Sequence, residues 1–284
     1  MFNWYGFLGI VMVVLMEINF FVKLQPLANF YFPIIWLGYI LTIDAVNKKL
    51  SGKSLISDNF YKFIGIVIIS ASFWYLFEFS NLFIQNWRYQ GVEGLIGDSV
   101  NYKGYSLLNI FGMLSFATVL PAFFETYELI RNLHLFDDKK LQKNHKITKK
   151  FLHWMIGLGV ISFILPLLFP RFAFPLIWAS FFFILDPINY LHKQPSVIKH
   201  LKDRKLVIPL SLLLSGIIMG FFWEFWNYWA IPKWTYDVPF VGFFKIFEMP
   251  LLGYLGYFPF AFELYAMYFF VQSLFLKKEK LLVK

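Results

Sequence analysis

A chain of 284 residues in which 59% are apolar, 15% are charged and the mean hydropathy is +0.60 is far more apolar than a soluble globular domain, which makes it a polytopic membrane protein. It has no cysteine, which excludes disulfides, thiolate metal sites and cysteine nucleophiles. The net charge of +9 raises the question of a nucleic-acid partner, which the placement of the basic residues answers below.

Apolar segments near the roughly 20 residues needed to cross a bilayer core fall at 4–22, 28–46, 60–83, 107–130, 151–169, 172–190, 206–229 and 251–275, so eight transmembrane helices are predicted. The first lacks a basic leader and a small-residue cleavage site, and Glu17 and Asn19 interrupt its end; it reads as a retained helix rather than a removed signal peptide. The connections at 47–62, 131–150 and 191–205, together with the tail from Lys277, hold 20 of the 26 Lys and Arg residues. The other set holds Lys23, Arg88, Lys103, Arg171, Lys233 and Lys245. Such a skew places both termini and the basic loops in the cytoplasm, with the chain in the cell membrane. These lysines flank spans as topology determinants do, so no nucleic acid is expected; attraction to anionic lipid headgroups is the natural further role.

The chain also repeats itself. Phe32-Pro33-x-Ile35-Trp36 followed by Asp44 and Asn47 returns as Phe174-Pro175-x-Ile177-Trp178 followed by Asp186 and Asn189, at an offset of 142. Glu78-Phe79-x-Asn81 and Trp87-x-Tyr89 return as Glu224-Phe225-x-Asn227 and Trp234-x-Tyr236. Pro121-x-x-Phe124-Glu125-x-Tyr127 returns as Pro259-x-x-Phe262-Glu263-x-Tyr265. With four spans in each half the repeats are parallel, related by a pseudo-twofold axis along the membrane normal. The fold expected is all-α, with a first four-helix repeat over 1–135, a basic cytoplasmic linker over 136–150 and a second four-helix repeat over 151–284.

The outer connections carry Trp87, Tyr89, Tyr102, Tyr105, Trp234 and Tyr236, as an aromatic belt at the membrane–water boundary does. A short interfacial helix is expected over 243–250, turning into the last span near Pro250. Kinks are predicted near Pro121 and Pro259, each four residues before a repeated Glu. Gly216 and Gly220, and Gly253 and Gly256, are small residues at near-helical spacing that let backbones approach.

The candidate site residues are the repeated acids and amides, which face the bundle interior or a wet cavity because a carboxyl in lipid is costly. Asp44, Asp186, Glu125 and Glu263 form an inner tier; Glu78 and Glu224 form an outer one. Asn47, Asn189, Asn81 and Asn227 each lie three residues after an acid and share its helix face. The functional reading is a pair of related polar sites binding a proton or cation and a small solute. The competing reading gives Asp44 and Asp186 a helix-capping role and gives Glu78 and Glu224 indole or tyrosine partners.

His134, His145, His153, His192 and His200 all lie in or near the basic loops, which leaves a buried bis-histidine haem site without support. No lysine lies mid-span, and no phosphate-cradling loop, zinc motif or nucleophile elbow occurs, so no cofactor and no metal are expected. Aromatic residues make up 23% of the chain, an unusual share. Their faces stabilise cations, and a buried protonated carboxylic acid can start or end a carbocation rearrangement. The acids followed by aromatics near a proline resemble what carotenoid cyclases of the membrane type present; no local stretch identifies a family. The leading expectation is a secondary-transporter-like protein, not an enzyme, with the lipid bilayer, a proton, a cation or a small solute as partners. The alternatives are an intramembrane enzyme acting on a lipid or isoprenoid with a buried Glu as general acid, and a non-catalytic membrane scaffold.

Overall fold

The computed structural model describes residues 2–91, 110–143 and 146–275, and the structural statements concern these. The expectations placed on Tyr102, Tyr105, Lys103, His145 and the basic tail lie outside the described residues. The first half contains α1 (Trp4–Val22), α2 (Tyr31–Ser51), the one-turn α3 (Leu55–Asp58), α4 (Phe60–Ile84), β1 (Trp87–Gln90), α5 (Ile110–Phe116) and α6 (Val119–Asn132). The second half begins with α7 (Lys149–Leu168), α8 (Pro170–Ala173), α9 (Ile177–Leu191), α10 (Val197–Lys202) and α11 (Val207–Trp229). It continues with β2 (Lys233–Tyr236), β3 (Lys245–Ile246), β4 (Met249–Pro250), a 3₁₀ turn over Leu251–Gly256 and α12 (Tyr257–Phe275).

Seven helical stretches are long and apolar enough to cross a membrane: Trp4–Val22, Phe60–Ile84, Gly112–Asn132, Lys149–Leu168, Pro170–Leu191, Val207–Trp229 and Leu251–Phe275. The remaining expected span, α2, is 21 residues long but carries Asp44, Asn47, Lys48 and Lys49 in its last turns, which lower its apolarity. It packs along α1, as α9 packs along α7. α1 and α7 lie at the periphery and turn whole faces of large apolar side chains outward, among them Phe7, Val11, Leu15 and Ile18 on α1 and Trp154, Leu158, Ile161 and Leu168 on α7. Such faces belong in hydrocarbon rather than water. The centre is made by α2, α4, α6, α11 and α12, around fully buried Trp36, Phe77, Phe123, Phe124, Tyr127, Tyr265 and Tyr268.

The predicted kinks are helix breaks. α5 and α6 part at Ala117 and Thr118, just before Pro121, and α12 is preceded by the 3₁₀ turn before Pro259. Each proline thus sits in the first turn of its helix, where a missing N–H leaves no gap in the ladder. Near the first break, Ser70 Oγ donates to the Phe116 carbonyl at 2.6 Å and accepts from the Leu120 N–H at 2.9 Å. One hydroxyl from α4 repairs the backbone that the break opens.

The interfacial helix expected over 243–250 is not formed. Lys245–Ile246 pairs antiparallel with Met249–Pro250 instead, because Phe244 and Phe247 hold left-handed φ of 50° and 58°, which ends any right-handed helix. A second ribbon joins the two halves: β1 pairs antiparallel with β2, Trp87 opposite Tyr236, Arg88 opposite Thr235 and Tyr89 opposite Trp234. At the other end of the bundle the connection between the halves is tied to the loop before α11, through Leu141 N to Arg204 O at 3.1 Å and Leu206 N to Lys139 O at 3.2 Å.

Of the four small residues singled out, Gly216 brings α11 against the backbone of α12. A Cβ there would stand 2.7 Å from the Tyr257 carbonyl oxygen and 2.8 Å from the Ala261 Cβ, and backbone cannot step aside as a flexible side chain does. We expect Gly216→Ala to cost about 1–3 kcal/mol, the usual toll of overpacking. Gly65→Ala, where a Cβ meets nothing within 4 Å, serves as the neutral control, both read as thermal midpoints in detergent.

Candidate functional site

The repeated acids and amides are buried except for the half-buried Asn81, and each is held by groups beyond its own helix. Asp44 and Asp186 are both fully enclosed. Asp44 accepts the Ile56 N–H at 2.8 Å and the Tyr5 hydroxyl. Asp186 accepts the N–H groups of Val197 at 2.7 Å and Ile198 at 2.9 Å. Ile56 and Ile198 stand 142 residues apart, the offset of the aspartates themselves. Ser54 and Ser196, at the same offset, cap α3 and α10 by accepting from Ser57 N and Lys199 N. Each aspartate thus takes up first-turn N–H groups of a short helix, which anchors it to the long helix beside it. The capping role weighed for these two is the geometry observed.

Asn47 and Asn189 reach across to the last long helix of their own half. Asn47 Nδ2 donates at 2.9 Å to both the carbonyl and the Oε2 of Glu125, and Asn132 Nδ2 donates to Asn47 Oδ1 at 3.1 Å. Asn189 Nδ2 donates to the Ala266 carbonyl at 2.8 Å. Glu263 accepts from Phe181 N at 2.8 Å and from Ser180 Oγ at 3.5 Å. Glu125 Oε1 and Glu263 Oε2 are buried without a hydrogen-bond donor. The four inner acids are absent from the lining of the cavity described below. They divide into a first-half group, in which the Glu125 carboxyl lies within hydrogen-bond reach of that of Asp44, and two separate second-half positions.

Near the ribbon the arrangement differs. Glu78 Oε1 accepts from Trp74 Nε1 at 3.0 Å, Trp87 Nε1 at 3.0 Å and the Tyr89 hydroxyl. Glu224 Oε1 accepts from the Tyr236 hydroxyl at 2.7 Å and the Tyr257 hydroxyl at 2.6 Å, while its Oε2 is buried without a partner. Asn81 binds the Trp87 carbonyl at 2.9 Å and the Asn86 N–H at 2.9 Å. Asn227 binds the Trp234 carbonyl and N–H, both at 2.8 Å. The asparagines therefore splice the ribbon onto the ends of α4 and α11, and the glutamates collect its aromatic donors. Burial, and then the adjacent glutamate, push the hydroxyls of Tyr89 and Tyr236 well above the usual tyrosine range, so both remain donors.

Those donors form part of the wall of a cavity of about 460 Å³ between the two halves, under the β1–β2 ribbon. Its lining is mostly aromatic and proline, and the rest is largely small or aliphatic. It includes Phe32 and Pro33 with their counterparts Phe174 and Pro175, and Trp87 and Tyr89 with theirs, Trp234 and Tyr236. Trp74, Trp178, Trp223 and Phe260 complete the wall, Phe260 meeting Trp178 edge-on at 5.5 Å and Trp223 at 5.9 Å. The repeat picked out Trp178 together with Trp36, yet only Trp178 faces the cavity. Trp36 is enclosed against Trp226 at 4.6 Å. Tyr257, Trp74 and Trp223 carry no repeated motif, and no signal in one sequence marks them as wall residues.

The cavity contains no cation-binding cluster, and among the described residues no group of three or more His, Cys, Asp or Glu side chains could hold a metal ion. Two basic groups adjoin lining residues. Arg171 lies over the Phe240 ring at 5.4 Å, and Lys233 pairs with Glu248 at 2.6 Å.

His200, on α10, accepts or donates at 3.2 Å with the Tyr265 hydroxyl of the repeated Pro-Glu-Tyr motif. Burial first, and then Lys199, push it down from 6.5 to about 4. The unfolded chain therefore binds the extra proton between about pH 6.5 and pH 4 and the folded chain does not, so stability falls as the pH drops through that window. His200→Gln is expected to flatten that decline in a pH series of thermal midpoints, while leaving the profile above pH 7 parallel to the wild type. No protein-family model, curated protein or solved structure matches the chain.

Proposed function

We propose that the chain is a cell-membrane protein built as two parallel four-helix repeats about a pseudo-twofold axis, and that it binds and acts on an apolar lipid or isoprenoid in the cavity beneath the ribbon. The basic-loop asymmetry supports placing both termini in the cytoplasm. The observation that carries the functional reading is the cavity: about 460 Å³, within the size of small-molecule sites, walled by equivalent aromatic residues of both halves. Such a surface offers little to a hydrated solute and much to a flexible hydrocarbon chain. It would also stabilise positive charge developing on carbon, since indole and phenol faces attract cations.

Glu224 is the proton donor in this reading. Its Oε2 has no partner, and its two tyrosine partners, Tyr236 and Tyr257, stand in the cavity wall. An isomerisation or cyclisation that begins by adding a proton to a carbon–carbon double bond and ends by returning one consumes no other reactant. Lipid extracts from cells expressing the wild type should contain a species absent from Glu224→Gln and Tyr257→Phe cells. Identical profiles in all three would remove the enzymatic reading.

A transport reading draws on a different observation, the buried unpartnered oxygens of Glu125 and Glu263. In it these glutamates bind a proton or cation and carry a small solute with it. The double variant Glu125→Gln with Glu263→Gln should then abolish gradient-coupled uptake in reconstituted vesicles, and uptake that stays sensitive to the gradient counts against it.

A further inference from the structure

The inner acids repeat in sequence but not in connection. In the second half Asp186 spends both carboxyl oxygens on backbone N–H groups, and Glu263 takes its donors from Phe181 and Ser180, so the two acids are satisfied apart from each other. In the first half Asn47, one turn after Asp44 on α2, holds Glu125 Oε2 at 2.9 Å, which sets the Glu125 and Asp44 carboxyls side by side within reach of each other, both with no solvent exposure. The remaining atoms are accounted for. Asp44 uses one oxygen for Ile56 N and the other for the Tyr5 hydroxyl, and Glu125 uses Oε2 for Asn47. That leaves Glu125 Oε1, fully buried, with no N–H or O–H directed at it.

Two carboxylates side by side in such a place repel each other, and among the described residues no basic side chain forms an ion pair with either. The charged and titratable groups around the pair are Tyr5 on α1, Tyr39 on α2, and Glu128 and Arg131 on α6. Arg131 is turned to Asp137 at 3.3 Å and Lys48 to Asp58 at 2.6 Å. The α11 residue nearest this part of α6 is apolar, Met219 against Thr126. A proton on Glu125 Oε1, donated toward Asp44, supplies the missing partner and removes one charge at once.

We propose that Asp44 and Glu125 form a proton-binding carboxyl pair that holds one shared proton and exchanges it with the membrane face bearing Asn3 through the Tyr5 hydroxyl. Tyr5 is only part-buried, accepts from Asn3 Nδ2 at 2.8 Å and donates to Asp44, so it joins solvent to the pair. In the exchange step Tyr5 passes its hydroxyl proton to Asp44 and takes one from water, and Asp44 passes one to Glu125; the reverse sequence releases it. The ligand is the proton. The inference concerns the first half alone, and does not depend on what the cavity under the ribbon binds.

The test is infrared difference spectroscopy of the full chain in lipid nanodiscs, following the carbonyl stretch of protonated carboxylic acid on transfer from water to deuterium oxide. The wild type should show a desolvated carboxylic acid band that disappears in Glu125→Gln, shifts in Asp44→Asn and persists in Glu263→Gln. Glutamine keeps an acceptor for Asn47, and the amide bands of the same spectra report whether each variant is folded. In Tyr5→Phe the band should remain while its deuterium exchange slows at least ~10-fold, as expected when a positioned proton relay is removed. A wild-type band untouched by Glu125→Gln, or a Tyr5→Phe exchange rate equal to the wild type, overturns the proposal. Should Asp44→Asn fail to fold through loss of its hold on α3, the Glu125 and Tyr5 variants still decide the outcome.

Discussion

A carboxyl carried into an apolar interior must find its hydrogen-bond donors inside the protein, because hydrocarbon supplies none. In this chain that requirement fixes how the segments join. Asp44 and Asp186 bind the short helices α3 and α10 to α2 and α9, and Glu263 binds the backbone of α9 to α12. Glu78 and Glu224 gather the indole and phenol donors of the ribbon. Helix association in lipid gains little from burying apolar surface, so polar crossings of this kind and close backbone approach carry the specificity.

The same joints divide the molecule into two chemically different ends. At the ribbon end the acids stand behind a wall of aromatic rings and hold its phenol and indole groups, so whatever occupies that space meets those groups first. At the far end the acids meet backbone amides, asparagines or each other. The repeated motifs place acids at both ends, yet at the far end their contacts differ between the first and second copies of the motif. Asp44 and Glu125 are within reach of one another, whereas Asp186 and Glu263 are kept apart by the backbone donors each has found. Divergence of this kind is how a duplicated scaffold can keep one structural site and turn its copy to another use.

Proline and serine do quieter work in the same direction. Pro121 and Pro259 open their helices ahead of the repeated glutamates, and the backbone groups freed near Pro121 are claimed by Ser70 rather than left to lipid. Both breaks lie beside the cavity, between the lining residues Phe116 and Val119 and between Gly256 and Tyr257. Gly112, Ser115 and Gly256 can then contribute to the wall of the cavity.

The apolar segments and their lengths were legible in the sequence, since a hydrocarbon layer dictates both. Trp4–Val22 and Val207–Trp229 fall within a residue of the boundaries that hydropathy indicates. So was the existence of paired acids and amides, because the spacing from Asp44 to Asn47 recurs from Asp186 to Asn189. What each acid would touch was not legible, because the partners come from distant segments: Tyr5 for Asp44, Tyr257 for Glu224, Phe181 for Glu263. The helix expected over 243–250 shows the same limit locally, as its aromatic composition gave no hint of the left-handed turns at Phe244 and Phe247. The sequence by itself determined a helical chain with segments long and apolar enough to cross a membrane and with recurring acids and amides inside them. Only the tertiary structure decided that the aromatic motifs of the two halves converge on one cavity, and that the inner acids do not, because convergence depends on helix rotation and on competition among donors that no single segment encodes.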